Sequence, residues 1–248
     1  MFNLSPELLI QIVYVPQGQE YESVCRGLNR TKLLIPVVSP IPAGMEAIRC
    51  HFQSCHPQQQ LGLKNPSLSQ PLEGRIGVLV MGLCGSLTSE FAVGDAVLYD
   101  SCINASAVKQ GTEQFCDREL TDVLAQQLGL KRVQAVTSDR VICKAAEKRS
   151  LAAQFPAQVV DMEGFAILEQ LNSPDIAVAM LRVVSDDCRA DLPDLSGAFS
   201  PEGALLPLPL ALAMLRQPLA AIQLIQGSLK GLQVLEELTT QLFGPGVK

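Results

Sequence analysis

The sequence predicts an α/β layered fold. Short runs rich in Val, Ile and Leu alternate along the chain with amphipathic segments, as expected when strands and helices follow one another. The apolar runs are nearly continuous, which is typical of strands that are covered on both faces. The 248 residues are 48% apolar and 18% charged, so the chain can bury enough apolar surface to form a packed core. We expect a single domain over residues 1–248.

Apolar runs, amphipathic segments and the turn signals between them divide the chain into strands and helices. The predicted strands are Leu8–Val15, Lys32–Val38, Arg75–Met81, Asp95–Asp100, Val133–Thr137, Gln158–Met162 and Ala177–Val184. The predicted helices are Glu20–Leu28, Gly44–Gln53, Asp117–Leu128, Lys144–Gln154, Glu163–Leu171 and two C-terminal helices within about 208–243. An irregular loop or mobile flap is expected at about 54–73, which carries three prolines and almost no periodicity.

Composition excludes several classes of function. A net charge of −6, 4% aromatic residues and no Trp argue against binding to a nucleic-acid polymer. The eight cysteines are scattered and the start of the chain lacks a basic leader, so we expect reduced thiols in a cytoplasmic protein. The apolar stretch 203–215 is too short to span a bilayer, and no stable membrane insertion is expected.

A Cys-His pair occurs twice near the irregular loop. Cys50-His51 is followed by Cys55-His56, but the spacing of known zinc motifs is missing, so we expect no metal site and no cofactor. The chain has only these two histidines, which leaves no Ser-His-Asp arrangement.

Two glycines follow the third predicted strand. Gly82 and Gly85 flank Cys84 within Val80–Leu87. Glycines here would let the backbone leave the sheet edge and approach a ligand closely, although a tight turn from strand to loop would use them equally well.

Acidic side chains stand at the ends of two further apolar strands. Asp161 and Glu163 flank Met162 where a strand ends and a helix begins, and Ser185 precedes Asp186 at the end of another strand. Buried charge is costly unless a ligand or partner satisfies it, although one acid could serve as a helix cap. Since ligands of open α/β sheets bind beyond the strand ends, the three ends predict one polar ligand site.

These segments, in this order and spacing, resemble the purine nucleoside phosphorylase and uridine phosphorylase superfamily, particularly its methylthioadenosine/S-adenosylhomocysteine nucleosidase branch. Residues 161–163 are similar to the family's Glu-Met-Glu ribose motif, and residues 185–186 to its catalytic Ser-Asp. Residues 137–142 are similar to the Ser-Gly-Asp-x-Phe-Ile segment that lines the base pocket. The resemblance extends over about 8–194 and implies a three-layer αβα sandwich with a mixed, partly closed central sheet.

The resemblance implies an enzyme that cleaves the N-glycosidic bond of a purine nucleoside of adenosine type and releases the free base. Asp186 would be the acid that protonates the leaving base. Glu163 would accept hydrogen bonds from the ribose hydroxyls while Met162 packs against the sugar. Glu20 would activate water, but the match needs a one-residue shift, so Glu22 competes for this role.

The base would contact Val141, Ile142, Ser185 and Phe165. Val141 stands where the nucleosidases have a Phe that stacks on adenine. A ring such as Phe165 or Phe155 would therefore have to supply any stacking.

Gly82, Cys84 and Gly85 match the loop that holds the nucleophile, either water or phosphate. Phosphorylases of the superfamily usually place an Arg three residues before a Ser or Thr of this loop, and here Val80 and Leu83 occupy those positions. Water is therefore the favoured nucleophile, because a phosphate dianion needs several cationic or backbone donors.

A phosphate-dependent phosphorylase remains the alternative, since Arg26, Arg30 or Arg49 could supply charge from elsewhere. Residues 203–243 are similar to the C-terminus of the hopanoid-associated phosphorylases, which implies an adenosylated lipid as substrate and an apolar 5′ substituent. The same apolar pattern would serve helices that pack on the sheet or in an oligomer interface.

A non-catalytic nucleoside-binding protein is the alternative from another class. The presence of both Glu163 and Asp186 argues against it, because a binding protein would not need the acid. The resemblance also implies a homo-oligomer, a dimer or larger, in which a neighbouring subunit completes the pocket.

Overall fold

The computed structural model describes residues 9–31, 36–54, 74–106, 113–195, 197–198, 200 and 206–244. The strands in this part of the chain are β1 (Ile12–Pro16), β2 (Val37–Ile41), β3 (Ile76–Ser86), β4 (Ala96–Asn104), β5 (Glu113–Phe115), β6 (Lys131–Thr137), β7 (Val159–Asp161) and β8 (Ile176–Asp186). The helices are α1 (Gln19–Asn29), α2 (Met45–Ser54), α3 (Arg118–Leu128), α4 (Ala145–Gln154), α5 (Gly164–Gln170), α6 (Pro207–Arg216) and α7 (Pro218–Phe243).

The strands form one mixed sheet that closes partly into a barrel. β8 pairs in parallel with β3 and antiparallel with β4. β4 pairs with β6, β6 with β7, and β7 with β3, so five strands complete a ring. β1 and β2 extend the sheet from β3, and β5 pairs with the outer part of β4. This topology confirms the predicted fold class.

Helices cover both faces of the sheet, which produces the three layers. Along β3, Val78 and Val80 pack in the core cluster that includes α2 and α5, whereas Leu79 and Met81 pack in the cluster that includes α1, α3 and α7. Successive side chains of a strand point to opposite faces, so both sets can be apolar only if both faces are covered.

Some predicted element boundaries need correction. β3 continues through Gly82 and Gly85 to Ser86, where a turn into a loop was expected, because its pairing with β8 persists to the end with only a register shift after Cys84. The first strand begins at Ile12, and residues 32–35 of the second predicted strand lie outside the described residues.

One strand was missed, and one expectation falls outside the structure. The three-residue strand β5 has no buried residue and hence no apolar pattern that could reveal it. Of the irregular segment expected at about 54–73, Ser54 ends α2 and residues 55–73 lie outside the described part. No helix in the described ranges is long and apolar enough to cross a membrane.

Two glycines bring α7 against the end of β8. A Cβ atom at Gly227 would lie 2.1 Å from the backbone oxygen of Ser185, and one at Gly231 would lie 2.9 Å from a methyl carbon of Leu83. Residues four apart share one face of a helix, so this face of α7 is free of side chains where it meets the strand.

Gly227→Ala is expected to destabilise the protein by about 1–3 kcal/mol, because the new methyl group overlaps a backbone atom that can move only with β8. Thermal unfolding followed by circular dichroism measures the change. Gly197→Ala is the control, since no atom lies within 4 Å of a Cβ built there. Equal midpoints for the two variants would contradict the close contact between α7 and β8.

Candidate active site

A cavity of about 880 Å³ opens where β3, β7 and β8 end. Its polar part is formed by Glu20, Asp161, Glu163, Ser185 and Asp186. A second part, which we call the apolar wall, consists of Leu210 and Met214 of α6 and Leu224, Ile225, Leu229 and Leu232 of α7. The volume lies toward the upper end of the ~300–1,000 Å³ that is usual for small-molecule sites.

Most of the residues predicted from the sequence line this cavity. They are Glu20, Cys84, Gly85, Val141, Ile142, Met162, Glu163, Ser185 and Asp186. Gly82 lies behind the lining, and Phe165 lies in the core. The three strand ends therefore meet in one place, as the predicted single site requires.

Glu20 lies in the first turn of α1 and reaches the end of β3. Its Oε1 atom accepts a hydrogen bond of 2.6 Å from the backbone N–H of Leu83. Burial raises the pKa of Glu20 from 4.5 to about 7, against the opposing effect of Arg182. The competing Glu22 is exposed, bonds to Gln19 and is absent from the lining, so the structure brings only Glu20 to the site.

Glu163 is held between β7 and α5. The side chain is buried, and its Oε1 atom accepts a hydrogen bond of 3.0 Å from the backbone N–H of Gly44. Burial raises the pKa of Glu163 to about 7, and the neighbouring Asp161 and Glu20 add to the effect, while Arg182 opposes it.

Sequence reasoning missed the charge that faces these carboxylates. Arg182 of β8 is fully buried, with its Nη2 atom 3.4 Å from Asp161 Oδ2 and 3.8 Å from Glu163 Oε2. Its three guanidinium nitrogens have no hydrogen-bond partner among the described residues. The available signal was an Arg inside an otherwise apolar strand, since such a position demands a buried partner.

The side chains packed around Gly82 explain why β3 carries a glycine at this position. A Cβ atom there would lie 2.1 Å from Arg182 Nη1 and 2.9 Å from Glu20 Oε1. The glycine therefore leaves room for the guanidinium and the carboxyl group beside the backbone of β3, and no turn is needed to account for it.

Asp186 is paired with a buried lysine. Its Oδ2 atom accepts a hydrogen bond of 2.9 Å from the hydroxyl of Ser185, and its Oδ1 atom accepts one from Nζ of Lys148. The ammonium group also donates to the backbone oxygen of Asp187 at 3.0 Å. Lys148 cannot be predicted from the sequence as a buried residue, because a lysine on a helix normally faces solvent.

Cys84 contributes a neutral thiol. Burial raises the pKa of this thiol well above its ordinary range, so the thiolate needed for nucleophilic attack is strongly disfavoured. Its backbone oxygen lies 3.3 Å from the hydroxyl of Ser185.

The predicted aromatic contact to a base needs correction. Phe165 is 2% exposed and packs in the core between the sheet and α2, and Phe155 packs beside Leu151, so neither reaches the cavity. No aromatic side chain of the described ranges lines the cavity. Val141 and Ile142 offer aliphatic surface in its place.

The arginines considered for phosphate are engaged elsewhere. Arg26 and Arg30 pair with Glu236, and Arg49 pairs with Glu169. None of the three lines the cavity. Arg140 does, but it is paired with Glu147.

Clusters of three side chains able to hold a metal ion are absent from the described residues. Cys50 and His51 lie on α2, whereas Cys55 and His56 fall outside those residues.

Residues 75–216 match the family model of the Phosphorylase superfamily. The match spans more than half of the chain, and the chain therefore belongs to this superfamily. It is an enzyme that acts on N-ribosyl bonds, which confirms the sequence prediction at that level. No curated protein matches the chain in sequence.

Solved structures show the same fold at low sequence identity. Futalosine hydrolase of Helicobacter pylori strain 26695 has a TM-score of 0.63 and 13% identity, covering 94% of this chain and 97% of that one. The methylthioadenosine/S-adenosylhomocysteine nucleosidase of H. pylori with butyl-thio-DADMe-Immucillin-A has a TM-score of 0.62, 13% identity and the same coverage. The Campylobacter jejuni nucleosidase has a TM-score of 0.58 and 13% identity, covering 94% and 99%.

Because the pKa values of Glu20 and Glu163 are raised, the free energy of unfolding is expected to fall as the pH rises from about 5 to about 8. A carboxyl group whose pKa is higher in the folded than in the unfolded chain binds more protons in the folded state between the two values, so the free energy of unfolding decreases across that range. Glu20→Gln cannot ionise and should lose less stability over the range, by about 1–3 kcal/mol.

Urea unfolding at both pH values measures this difference. Glu22→Gln is the matched control, because this side chain is exposed on the same helix, and it should follow the wild type. Identical pH dependence for Glu20→Gln and the wild type would contradict the raised pKa of Glu20.

Proposed function

We propose that the protein hydrolyses the N-glycosidic bond of a purine nucleoside of adenosine type and releases the free base. The observation that carries this proposal is the meeting of Glu20, Glu163 and Asp186, from three separate elements, in one cavity. The reaction needs an acid for the base, a carboxylate near the sugar and a base for water, and the three residue types meet these needs.

Asp186 would protonate N7 of the purine as the C1′–N9 bond breaks and its electron pair passes to the leaving base. The ammonium of Lys148 would stabilise the carboxylate that remains, and the hydroxyl of Ser185 would orient it. Lys148 is then a positioning residue that acts through Asp186.

Glu163 would accept hydrogen bonds from the ribose hydroxyls. Its carboxylate would also stabilise the positive charge that develops on the sugar as the base departs. The N–H of Gly44 holds one of its oxygens, which leaves the other for the substrate.

Glu20 would take a proton from the water that attacks C1′. A pKa of about 7 suits a general base that works near neutral pH. Arg182 supplies the counter-charge that allows Glu20 and Glu163 to ionise in a buried site.

The charges around the cavity support water over phosphate. Besides the proposed acid Asp186, three carboxyl groups line it, namely Glu20, Asp161 and Glu163. A phosphate dianion beside them would need several free donors. Among the described residues that line the cavity, the cation is Arg140, and it is already paired with Glu147. Val80, at one of the positions where phosphorylases hold phosphate, is buried in the core.

The apolar wall supports a substrate with an apolar 5′ substituent. Such a group would bury apolar surface against α6 and α7, whereas the polar part of the cavity would hold the base and ribose. The adenosylated lipid implied by the resemblance of the C-terminus belongs to this class.

A nucleoside panel tests the proposal. Adenosine, methylthioadenosine and adenosines with longer 5′-alkylthio groups are incubated with and without phosphate, and free adenine is detected chromatographically. Adenine release should not need phosphate, and KM should fall as the alkyl group lengthens. Strict phosphate dependence would indicate a phosphorylase, and tight binding without release would indicate a binding protein.

Asp186→Asn should lower kcat by about 10²–10⁴-fold, because the amide has no proton to give to the base at a useful acidity. Circular dichroism should show an unchanged fold. Asp187→Asn is the matched control, since the side chain of Asp187 bonds to Arg189 and does not line the cavity. Near wild-type turnover of Asp186→Asn would exclude Asp186 as the acid.

Lys148→Met separates positioning from catalysis. The variant should lower kcat with little change in KM, because the ammonium group that holds the carboxyl group of Asp186 is lost. A variant that folds and keeps the wild-type kcat would show that Lys148 is only structural.

A further inference from the structure

The outer side of α6 and the first half of α7 exposes large apolar side chains. We call Leu208, Leu212, Leu215, Leu219 and Ile222 the leucine face. They are spaced three or four residues apart and are 83%, 47%, 78%, 79% and 51% exposed. α6 contributes no buried residue at all. Contiguous apolar surface of this kind usually marks a site of interaction.

The charge of this region differs from that of the chain as a whole. Residues 206–235 contain no Asp or Glu, and the charged residues among them are Arg216 and Lys230. The whole chain carries a net charge of −6. A cationic region on an acidic protein favours a partner with negative charge.

The leucine face continues into the cavity. Ile225 and Leu229 belong to the apolar wall and are also 45% and 62% exposed. The inner sides of α6 and α7 thus line the cavity while their outer sides face solvent, and one apolar surface connects the two.

We propose that the leucine face docks on the surface of a bilayer that contains anionic lipids. An amphipathic helix lies in the plane of such an interface with its apolar face buried, and each cation near anionic headgroups adds to the binding. The helices would rest on the membrane without crossing it, in keeping with the absence of a spanning helix in the described ranges.

A second copy of the chain suits this surface less well. A two-fold dimer places the same patch on both sides of its interface. Arg216 and Lys230 would then meet a patch that offers no carboxylate between residues 206 and 235.

Docking would bring the cavity next to the membrane. This consequence rests on the proposed function: a nucleoside whose apolar 5′ group lies in the bilayer could pass along the apolar wall with its tail continuously buried. The sugar and base would meet the polar part of the cavity.

Sedimentation with vesicles tests the proposal. The wild type should bind vesicles of phosphatidylglycerol and phosphatidylcholine, with binding weakened by added salt. The triple variant Leu208→Ser/Leu215→Ser/Leu219→Ser should bind at least about tenfold less, since it loses three leucines that would enter the membrane interface. Phe115→Ser is the matched control, because Phe115 is 69% exposed on β5, which packs against β4 and α5.

Two further measurements keep the result clear. Adenine release from adenosine should be unchanged in the triple variant, because none of the three leucines lines the cavity. Light scattering on a sizing column gives the oligomeric state. A wild type that binds no vesicles, or a triple variant that binds as well as the wild type, overturns the proposal. A triple variant that only changes oligomeric state makes a second copy the occupant and overturns it too.

Vesicle binding does not require turnover. A protein that binds vesicles but releases no base from any nucleoside would overturn the proposed function and leave the docking surface intact. A protein that releases adenine but does not bind vesicles would overturn the docking surface and leave the proposed function intact.

Discussion

The site depends on one buried positive charge. Arg182 places its guanidinium within 4 Å of Asp161 and Glu163 and close behind Glu20, at a point fully removed from solvent. Removing one member of such a group leaves uncompensated charge in the interior, which is strongly destabilising. The same charge requires glycine at position 82, because any larger residue would occupy the space of the guanidinium. A requirement of the site is therefore also a requirement of the fold.

Closure of the sheet brings the separate parts of the site together. β8 pairs with β3 over its whole length and with β4 on its other side, while β7 joins β3 to β6. Gly85 consequently pairs with both Val160 and Asp186, which fixes the spacing of two strand ends that are distant in sequence. The short approach of Asp186 to Gly85 leaves no room for a Cβ atom. Rigid strands hold the acids at fixed separations, as a reaction with several proton transfers needs.

The sequence predicts features that depend on local patterns, and it does not predict those that depend on contacts between distant parts of the chain. Nearly continuous apolar runs predict the strands because both faces of the sheet are covered, and amphipathic segments predict the helices. The glycines of β3 were read as a turn because local propensity cannot reveal that Arg182 and Asp186 press against them from another strand. The role of Lys148 could not be predicted for the same reason, since its partner Asp186 lies 38 residues away in the sequence. Phe165 was assigned to the base because its motif is next to the ribose residues, but a helix turns neighbouring side chains to different sides.

α7 links the chemistry to the choice of substrate. Gly227 and Gly231 pack against Ser185 and Leu83 at the end of the sheet, whereas Leu224, Leu229 and Leu232 of the same helix line the apolar wall. In the proposed reaction the carboxylates on the strands act on the base and ribose, which all such nucleosides share, while α6 and α7 contact the 5′ group, in which they differ. Substitutions on the wall can therefore alter the 5′ group that is accepted without moving the carboxylates. The glycines cannot vary in this way, because a side chain there would displace the strand that carries the acid.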